Sequence, residues 1–216
     1  MVCVDGRGTG GRGTEFGKCT YLKIGQYEPA DQVEAAKYMA SLPYVDAKNI
    51  GIWGWSFGGY NTLMSMSQPE GIFKAGVAVA APSDWRFYDT VYTERYMRTP
   101  KENKEGYDKG SAVVNAANLK GHLLLVHGTA DDNVHLRNMI HYIGALNNTN
   151  MDKYNVKLEQ FCKDNGCYFV NVAETLKNSQ GILRQDYCSD SYCHLNYSGI
   201  KAWIAYLKTY AAANHK

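Results

Sequence analysis

Gly54-Trp55-Ser56-Phe57-Gly58 is the stretch that decides the fold of this chain. Just upstream, Asn49-Ile50-Gly51-Ile52-Trp53 is short, apolar and β-prone, as a buried strand should be. Downstream, Gly58-Gly59-Tyr60-Asn61-Thr62-Leu63-Met64-Ser65-Met66 predicts a helix. A G-x-S-x-G pentapeptide between a strand and a helix has the setting of a nucleophile elbow. Such a turn holds its serine in a strained conformation, and glycines at 54 and 58 let the backbone pass closely. The Phe57 amide would then face a carbonyl under attack as one half of an oxyanion hole. The competing reading is an ordinary βα turn, because glycine and serine are common residues; the flanking elements favour the elbow.

Working outward, strand and helix signals alternate. Val2–Val4 predicts a strand, and Asp31 to Leu42 carries Val33, Ala36, Met39 and Ala40 at helical spacing. Lys74–Ala80 predicts a second buried strand after the elbow, and Leu123-Leu124-Leu125-Val126-His127-Gly128 another that ends in a turn, with Val134–Leu146 as the helix that follows it. Between them, Pro82 to Leu119 is a long insertion rich in aromatics, of the kind that forms lids or specificity walls. This alternation predicts an α/β fold with a mainly parallel, doubly wound sheet, helices on both faces and the site at the strand C-termini. Asn147-Asn148-Thr149-Asn150 is polar and turn-rich, so a seam is expected at 147–151, dividing residues 1–146 from 152–216. Beyond it the sequence predicts a helix over Lys153–Asn165, a strand over Cys167–Val172, a polar loop over Ser189–Asn196 and a helix over Ser198–Ala213.

Composition excludes several classes. The chain has 216 residues, 45% of them hydrophobic, enough for one large domain or two small ones with a true core. A net charge of +2 with scattered Lys and Arg argues against a nucleic-acid surface. No apolar run approaches the ~20 residues of a membrane span. Met1 runs straight into a strand-like Val2-Cys3-Val4 rather than a signal peptide. Parallel sheets rarely open at residue 2, so an N-terminally truncated α/β domain is expected.

The glycine-rich stretch Asp5-Gly6-Arg7-Gly8-Thr9-Gly10-Gly11-Arg12-Gly13 lacks a following Gly-Lys-Ser/Thr, and reads as a structural loop rather than a phosphate cradle. No cofactor is expected. Four of the six cysteines form two C-x4-C pairs, Cys162/Cys167 and Cys188/Cys193. Zinc sites usually use shorter spacing, so no metal is expected, and buried thiols or one local disulfide are the expectation.

A serine nucleophile needs a base, and the base an orienting acid. With an elbow of this type the chain order is Ser, Asp, His. Asp131 lies just past a strand end, where the acid belongs, with Asp132 as a solvated neighbour. Of the later histidines, His135 sits too close in sequence to bridge, His141 falls within a helix and His215 in a terminus. His194, in a loop before the last helix, is the expected base.

Residues 1–146 resemble the catalytic domain of the prolyl oligopeptidase family, in its dipeptidyl peptidase IV-type branch. The resemblance is carried by Asp5-Gly6-Arg7-Gly8-Thr9-Gly10, Gly54-Trp55-Ser56-Phe57-Gly58-Gly59-Tyr60, Tyr88-Asp89-Thr90-Val91-Tyr92-Thr93-Glu94-Arg95-Tyr96 and His127-Gly128-Thr129-Ala130-Asp131-Asp132-Asn133-Val134-His135. It implies an α/β-hydrolase fold with Ser56 as nucleophile and Asp131 as acid. It further implies Phe57, Trp85, Tyr88, Tyr92 and Val134 as a pocket for proline at the cleaved position, and Asn133 as the group holding a substrate carbonyl. The implied partner is a peptide with proline or alanine at that position; export to a periplasmic or extracellular compartment and an oligomeric state are implied too. In that family a β-propeller bearing a glutamate pair precedes this domain, as does a tyrosine that completes the oxyanion hole; the sequence holds neither.

Residues 152–212 depart from that pattern. Tyr187-Cys188-Ser189-Asp190-Ser191-Tyr192-Cys193-His194-Leu195-Asn196 and the helix through Trp203 are similar to the end of an SGNH-type (GDSL) esterase. There this block supplies acid and base, which makes Asp190 the alternative acid. Three outcomes stay open: a hybrid triad through His194, an assembled but misaligned site, and an inactive chimeric fragment. The functional reading is a serine hydrolase of the dipeptidyl peptidase type, with a short-chain acyl esterase and a non-catalytic interaction module as alternatives.

Overall fold

Three parallel strands in the order β1-β2-β3 position the candidate site: β1 is Gly51–Trp55, β2 Ala75–Val79 and β3 His122–Val126. Their register runs Gly51 to Ala75 to His122 at one end and Trp55 to Val79 to Val126 at the other, so all three stop level at their C-termini. The computed structural model describes residues 1–164, 166, 169–179, 183–189 and 195–214. The chain divides into two units, Met1–Ile143 and Gly144–Lys216.

In the first unit the helices are α1 (Thr14–Lys18), α2 (Glu28–Ala40), α3 (Phe57–Met66), α4 (Thr90–Met97), α5 (Lys104–Lys109) and α6 (Ala112–Asn115). Helix α2 starts where Pro29 fits the first turn and Glu28 and Asp31 oppose the helix dipole. Val33 and Ala36 of α2 pack with Met66 of α3 and Phe73, and Ile52 of β1 and Leu123 of β3 close over them. Helix α3 is buried almost all round, from Gly59 to Met66, which is why its sequence is so apolar. On the opposite sheet face Trp53, Trp55, Leu124 and Val126 are exposed. The glycine-rich loop is tied to α2: Arg7 makes a bidentate pair with Asp31, at 2.6 Å from Nη2 and 3.0 Å from Nε to Oδ1, and the Arg7 amide donates to Asp31 Oδ2 at 2.7 Å.

The insertion between β2 and β3 is built of short helical pieces, four of them with a side-chain cap on an orphan amide. Asp84 accepts from Arg86 N, Asp89 from Tyr92 N, Asn103 from Gly106 N and Ser111 from Val114 N. A buried polar pair pins it: Asn138 Oδ1 accepts from the Ser83 amide at 2.9 Å, and Ser83 Oγ donates to the Asn138 carbonyl at 2.7 Å.

Helix α7 runs Arg137–Asp164. In the second unit, α8 (Ala173–Leu176) and α9 (Tyr197–Asn214) are joined through single bridges at Lys177–Leu183 and Cys188–Leu195. Tyr210 Oη donates to the Phe169 carbonyl at 3.0 Å, and Asn196 Nδ2 donates to the Asp186 and Cys188 carbonyls at 2.8 and 3.1 Å. Among the described residues no helix is long and apolar enough to cross a membrane, and no group of three His, Cys, Asp or Glu is placed to hold a metal.

Several sequence expectations are corrected. Val2–Val4 is not a strand, because apolar character alone does not supply a neighbour to pair with. The described part of the expected strand at 167–172, residues 169–172, is irregular. The helix expected from Val134 starts at Arg137, after the loop that carries Asp131. The expected break at Asn147–Asn150 is absent: α7 continues through it, since Asn and Thr cost a helix only tenths of a kcal/mol each, roughly, and no Gly or Pro interrupts the run. Cys167 and Cys193 lie outside the described residues, as do Asp190 and His194.

Candidate active site

Ser56 follows the last residue of β1 and precedes the first of α3, so the whole reversal from strand to helix falls on it. Its backbone sits at φ 54°, ψ −116°, a left-handed conformation costly for any residue with a Cβ. Two bonds hold it there: its amide donates to the Val79 carbonyl at 2.9 Å, and its carbonyl accepts from the Tyr60 amide at 2.9 Å. Gly54 permits the turn, since a Cβ there would lie 2.3 Å from both the carbonyl carbon and oxygen of Gly58. A Cβ on Gly58 would meet nothing within 4 Å, so the close approach demands glycine at 54 only. The Phe57 amide opens α3, among the leading N–H groups of a helix that lack an intrahelical acceptor. It is therefore disposed to receive an anionic oxygen beside Ser56.

Asp131 lies beyond the end of β3. The Ala80 amide donates to the Val126 carbonyl at 2.8 Å, extending past the strands the ladder that holds Ser56 to Val79. With β2 between them, the ends of β1 and β3 are about 10 Å apart. The turn that carries Asp131 is closed by its own carboxylate, whose Oδ1 accepts from the Asn133 amide at 3.1 Å and the Val134 amide at 2.9 Å. His127 Nε2 lies 2.6 Å from the Val134 carbonyl and 3.8 Å from Asp131 Oδ2.

The aromatic residues converge on this edge. Trp85 is 2% exposed, with ring centroids of Phe57 at 5.6 Å, Tyr60 at 4.9 Å, and Tyr88 and Tyr92 both at 5.9 Å. Tyr88 and Tyr92 meet edge to face at 5.3 Å. Val134 is buried, and Tyr88 Oη donates to Asn133 Oδ1 at 2.9 Å, linking the aromatic wall to the Asp131 turn. Burial pushes the Tyr60 and Tyr92 hydroxyls above the usual phenol range, so both stay protonated at neutral pH. The Tyr60 hydroxyl donates to the Gly110 carbonyl at 2.7 Å and so bolts α3 to the insertion. Beside Phe57 and Tyr92 opens a cavity of about 360 Å³, which reaches past Asn61 to Glu28 and Arg7.

Ser56, Phe57, Trp85, Tyr88, Tyr92, Asp131, Asn133 and Val134 thus all belong to the first unit and gather around the C-terminal ends of β1, β2 and β3 and the adjoining insertion. The chain is similar to known proteins. A family model described as prolyl oligopeptidase family matches residues 1–165. The chain belongs to the prolyl oligopeptidase family. Among relatives in this family, the probable dipeptidyl-aminopeptidase B of Ajellomyces dermatitidis is 45% identical over 184 residues, 84% of this chain and 20% of the relative. That of Sordaria macrospora is 47% identical over 174 residues, 79% of this chain and 19% of the relative. Among solved structures, dipeptidyl peptidase 4 of Porphyromonas gingivalis is 60% identical with a TM-score of 0.68, covering 68% of this chain and 21% of that one. A putative dipeptidyl aminopeptidase IV of Bacteroides ovatus is 40% identical with a TM-score of 0.65 and the same coverage. The chain spans about a fifth of the length of the curated relatives it matches. The fold is the α/β-hydrolase-like fold of this family, and the family match runs on through the polar stretch at 147–151 to residue 165.

Two residues important to the site's build were given no role by the sequence: His127, seven residues from the carbonyl it holds, and Asn138, which pins the insertion through Ser83. Neither contact has a periodic signature; each depends on how a loop closes.

Proposed function

We propose that this chain carries the catalytic centre of a serine peptidase of the dipeptidyl peptidase type, cleaving after proline or alanine. The observation that carries the reading is Ser56 at φ 54°, ψ −116° on the strand-to-helix turn, beside a box of aromatic rings. Flat aromatic walls suit a rigid pyrrolidine ring, and the relatives' names supply the dipeptidyl specificity. Ser56 Oγ attacks the scissile carbonyl carbon while His194 takes its proton and Asp131 orients the imidazole. The Phe57 amide receives the oxyanion. Collapse breaks the C–N bond, the leaving amine takes the proton from His194, and the acyl-enzyme is hydrolysed by water activated the same way. Asn133 holds a substrate carbonyl, and Asp190 is the alternative acid. By the same family resemblance the active form is an oligomer, which sedimentation of the chain tests.

The tail favours a second reading. The Tyr187–Asn196 block, closed by the Cys188–Leu195 bridge, is similar to the acid-and-base block of SGNH esterases. A site with His194 from such a block would favour small acyl esters, which need less protonation of the leaving group than amides do. Turnover of a chromogenic dipeptidyl proline amide against a short acyl ester separates the two. Faster loss of the proline amide supports the peptidase, turnover of the ester alone supports the esterase, and turnover of neither rejects both.

A further inference from the structure

The acid, the proposed carbonyl holder and one wall of the pocket sit within four residues, Asp131 to Val134. Asp131 Oδ1 is committed to the amides of Asn133 and Val134, at 3.1 and 2.9 Å, which leaves Oδ2 as the oxygen able to meet a base. Those bonds make the turn rigid within itself. They do not stop it from pivoting on the strand that carries it.

His127, directly after β3, supplies that restraint. Its side chain is 2% exposed, and its Nε2 lies 2.6 Å from the Val134 carbonyl. A carbonyl only accepts, so Nε2 carries the proton and donates it. The same N–H lies 3.8 Å from Asp131 Oδ2, beyond hydrogen-bond range but with its positive end near the carboxylate. Buried and committed in this way, His127 is not itself available as the base for Ser56.

We infer that His127 is a positioning residue: through its bond to the Val134 carbonyl it locks the acid, Asn133 and Val134 to the end of β3 as one body. The orientation of Asp131 and the pocket wall are then set together. The kinetic part of this inference rests on the proposed peptidase reading; the structural part does not.

The test uses the full 216-residue chain with two variants. H127Q keeps a donor within reach of Val134, and H127L fills the space without one; H127M replaces H127L should that variant not fold. Amide hydrogen exchange of Asn133 and Val134 should quicken about tenfold in H127L, as for loss of one buried hydrogen bond, and stay near the parent's in H127Q. Exchange at Gly76 and Ala78 in β2 should not change in either. On a proline amide, kcat should fall about tenfold or more in H127L, with KM moving less, and recover substantially in H127Q. The inference is overturned if H127L exchanges like the parent at Asn133 and Val134, if H127Q is as impaired as H127L, or if β2 loosens in step with the turn. Should the parent turn over nothing, the peptidase reading fails, while the exchange comparison still decides the role of His127.

Discussion

The Ser56 amide donates to the Val79 carbonyl across 2.9 Å, which fastens the strained turn of β1 to the end of β2. One step further, Ala80 donates to Val126 at the end of β3, five residues before Asp131. Backbone bonds therefore set the spacing of Ser56 and Val126, the end of the strand that leads to Asp131.

The strain at Ser56 predicts a trade between stability and reactivity. A non-glycine residue at φ 54°, ψ −116° costs about 1–3 kcal/mol. Ser56→Gly should relieve most of that, less about 0.5–1 kcal/mol for glycine's greater freedom when unfolded. Thermal unfolding should show S56G melting above the parent and S56A near it, with both lacking a nucleophile. An S56G protein that melts lower would mean that the turn is not strained.

Gly54 and Gly58 should respond very differently to the same methyl group. Gly54→Ala places a Cβ 2.3 Å from the Gly58 backbone, which cannot give way as a side chain would. A loss of about 1–3 kcal/mol and of Ser56 reactivity is expected. Gly58→Ala meets open space, and its melting temperature should stay close to the parent's. Denaturation of the two proteins side by side checks the contrast.

Tyr88 Oη holds Asn133 Oδ1 at 2.9 Å. Tyr88→Phe keeps the ring in the aromatic wall and removes only this bond, leaving Asn133 free to turn. The expected effect on a proline amide is a fall in kcat/KM of up to about tenfold, from one neutral hydrogen bond. Unfolding should barely change, because the pair lies at the surface.

Glu28 gives a pH-dependent prediction. Burial pushes its carboxyl up, against the backbone amides of Glu28, Gly25 and Tyr27, which favour the anion. The folded state therefore binds this proton more tightly than the unfolded chain. Its contribution to stability is largest below the unfolded pKa and declines as pH rises through the folded value. Glu28→Gln keeps an oxygen for the Gly25 amide, which now donates at 2.9 Å, and removes the buried charge. E28Q should melt above the parent at pH 7, with the gap closing as pH falls to 4; a gap that widens on acidification would reverse the sign. Asp31 works the other way: burial pushes it up, but its bonds to Arg7 outweigh that and hold it low. Its stabilisation is present above its ordinary value and is lost as pH falls through the lowered one.

The elbow was legible because strand, turn and helix are each local: β-prone Ile50 and Ile52, glycines at the turn, then an apolar helix. The three central strands were legible for the same reason, to within one or two residues at each end. Val2–Val4 misled because a strand needs a neighbour, and the neighbour is not written in those residues. Asn147–Asn150 misled because composition suggests a break while helix continuation costs little there. His127 could be quoted in its motif but not interpreted, since its meaning lies in a carbonyl seven residues away that only the closed turn brings back. In the second unit the last helix, expected over Ser198–Ala213 and found over Tyr197–Asn214, was legible, while the single bridges before it carry no period to read.

Mass spectrometry of the chain after treatment with a serine-directed fluorophosphonate tests the central claim most directly. The account predicts one adduct, on Ser56, formed faster than on other serines, absent in S56A and greatly slowed in His194→Ala. No adduct on Ser56 in a chain whose β2 amides are protected from exchange would contradict it, and would leave a folded peptidase-family domain without an activated nucleophile.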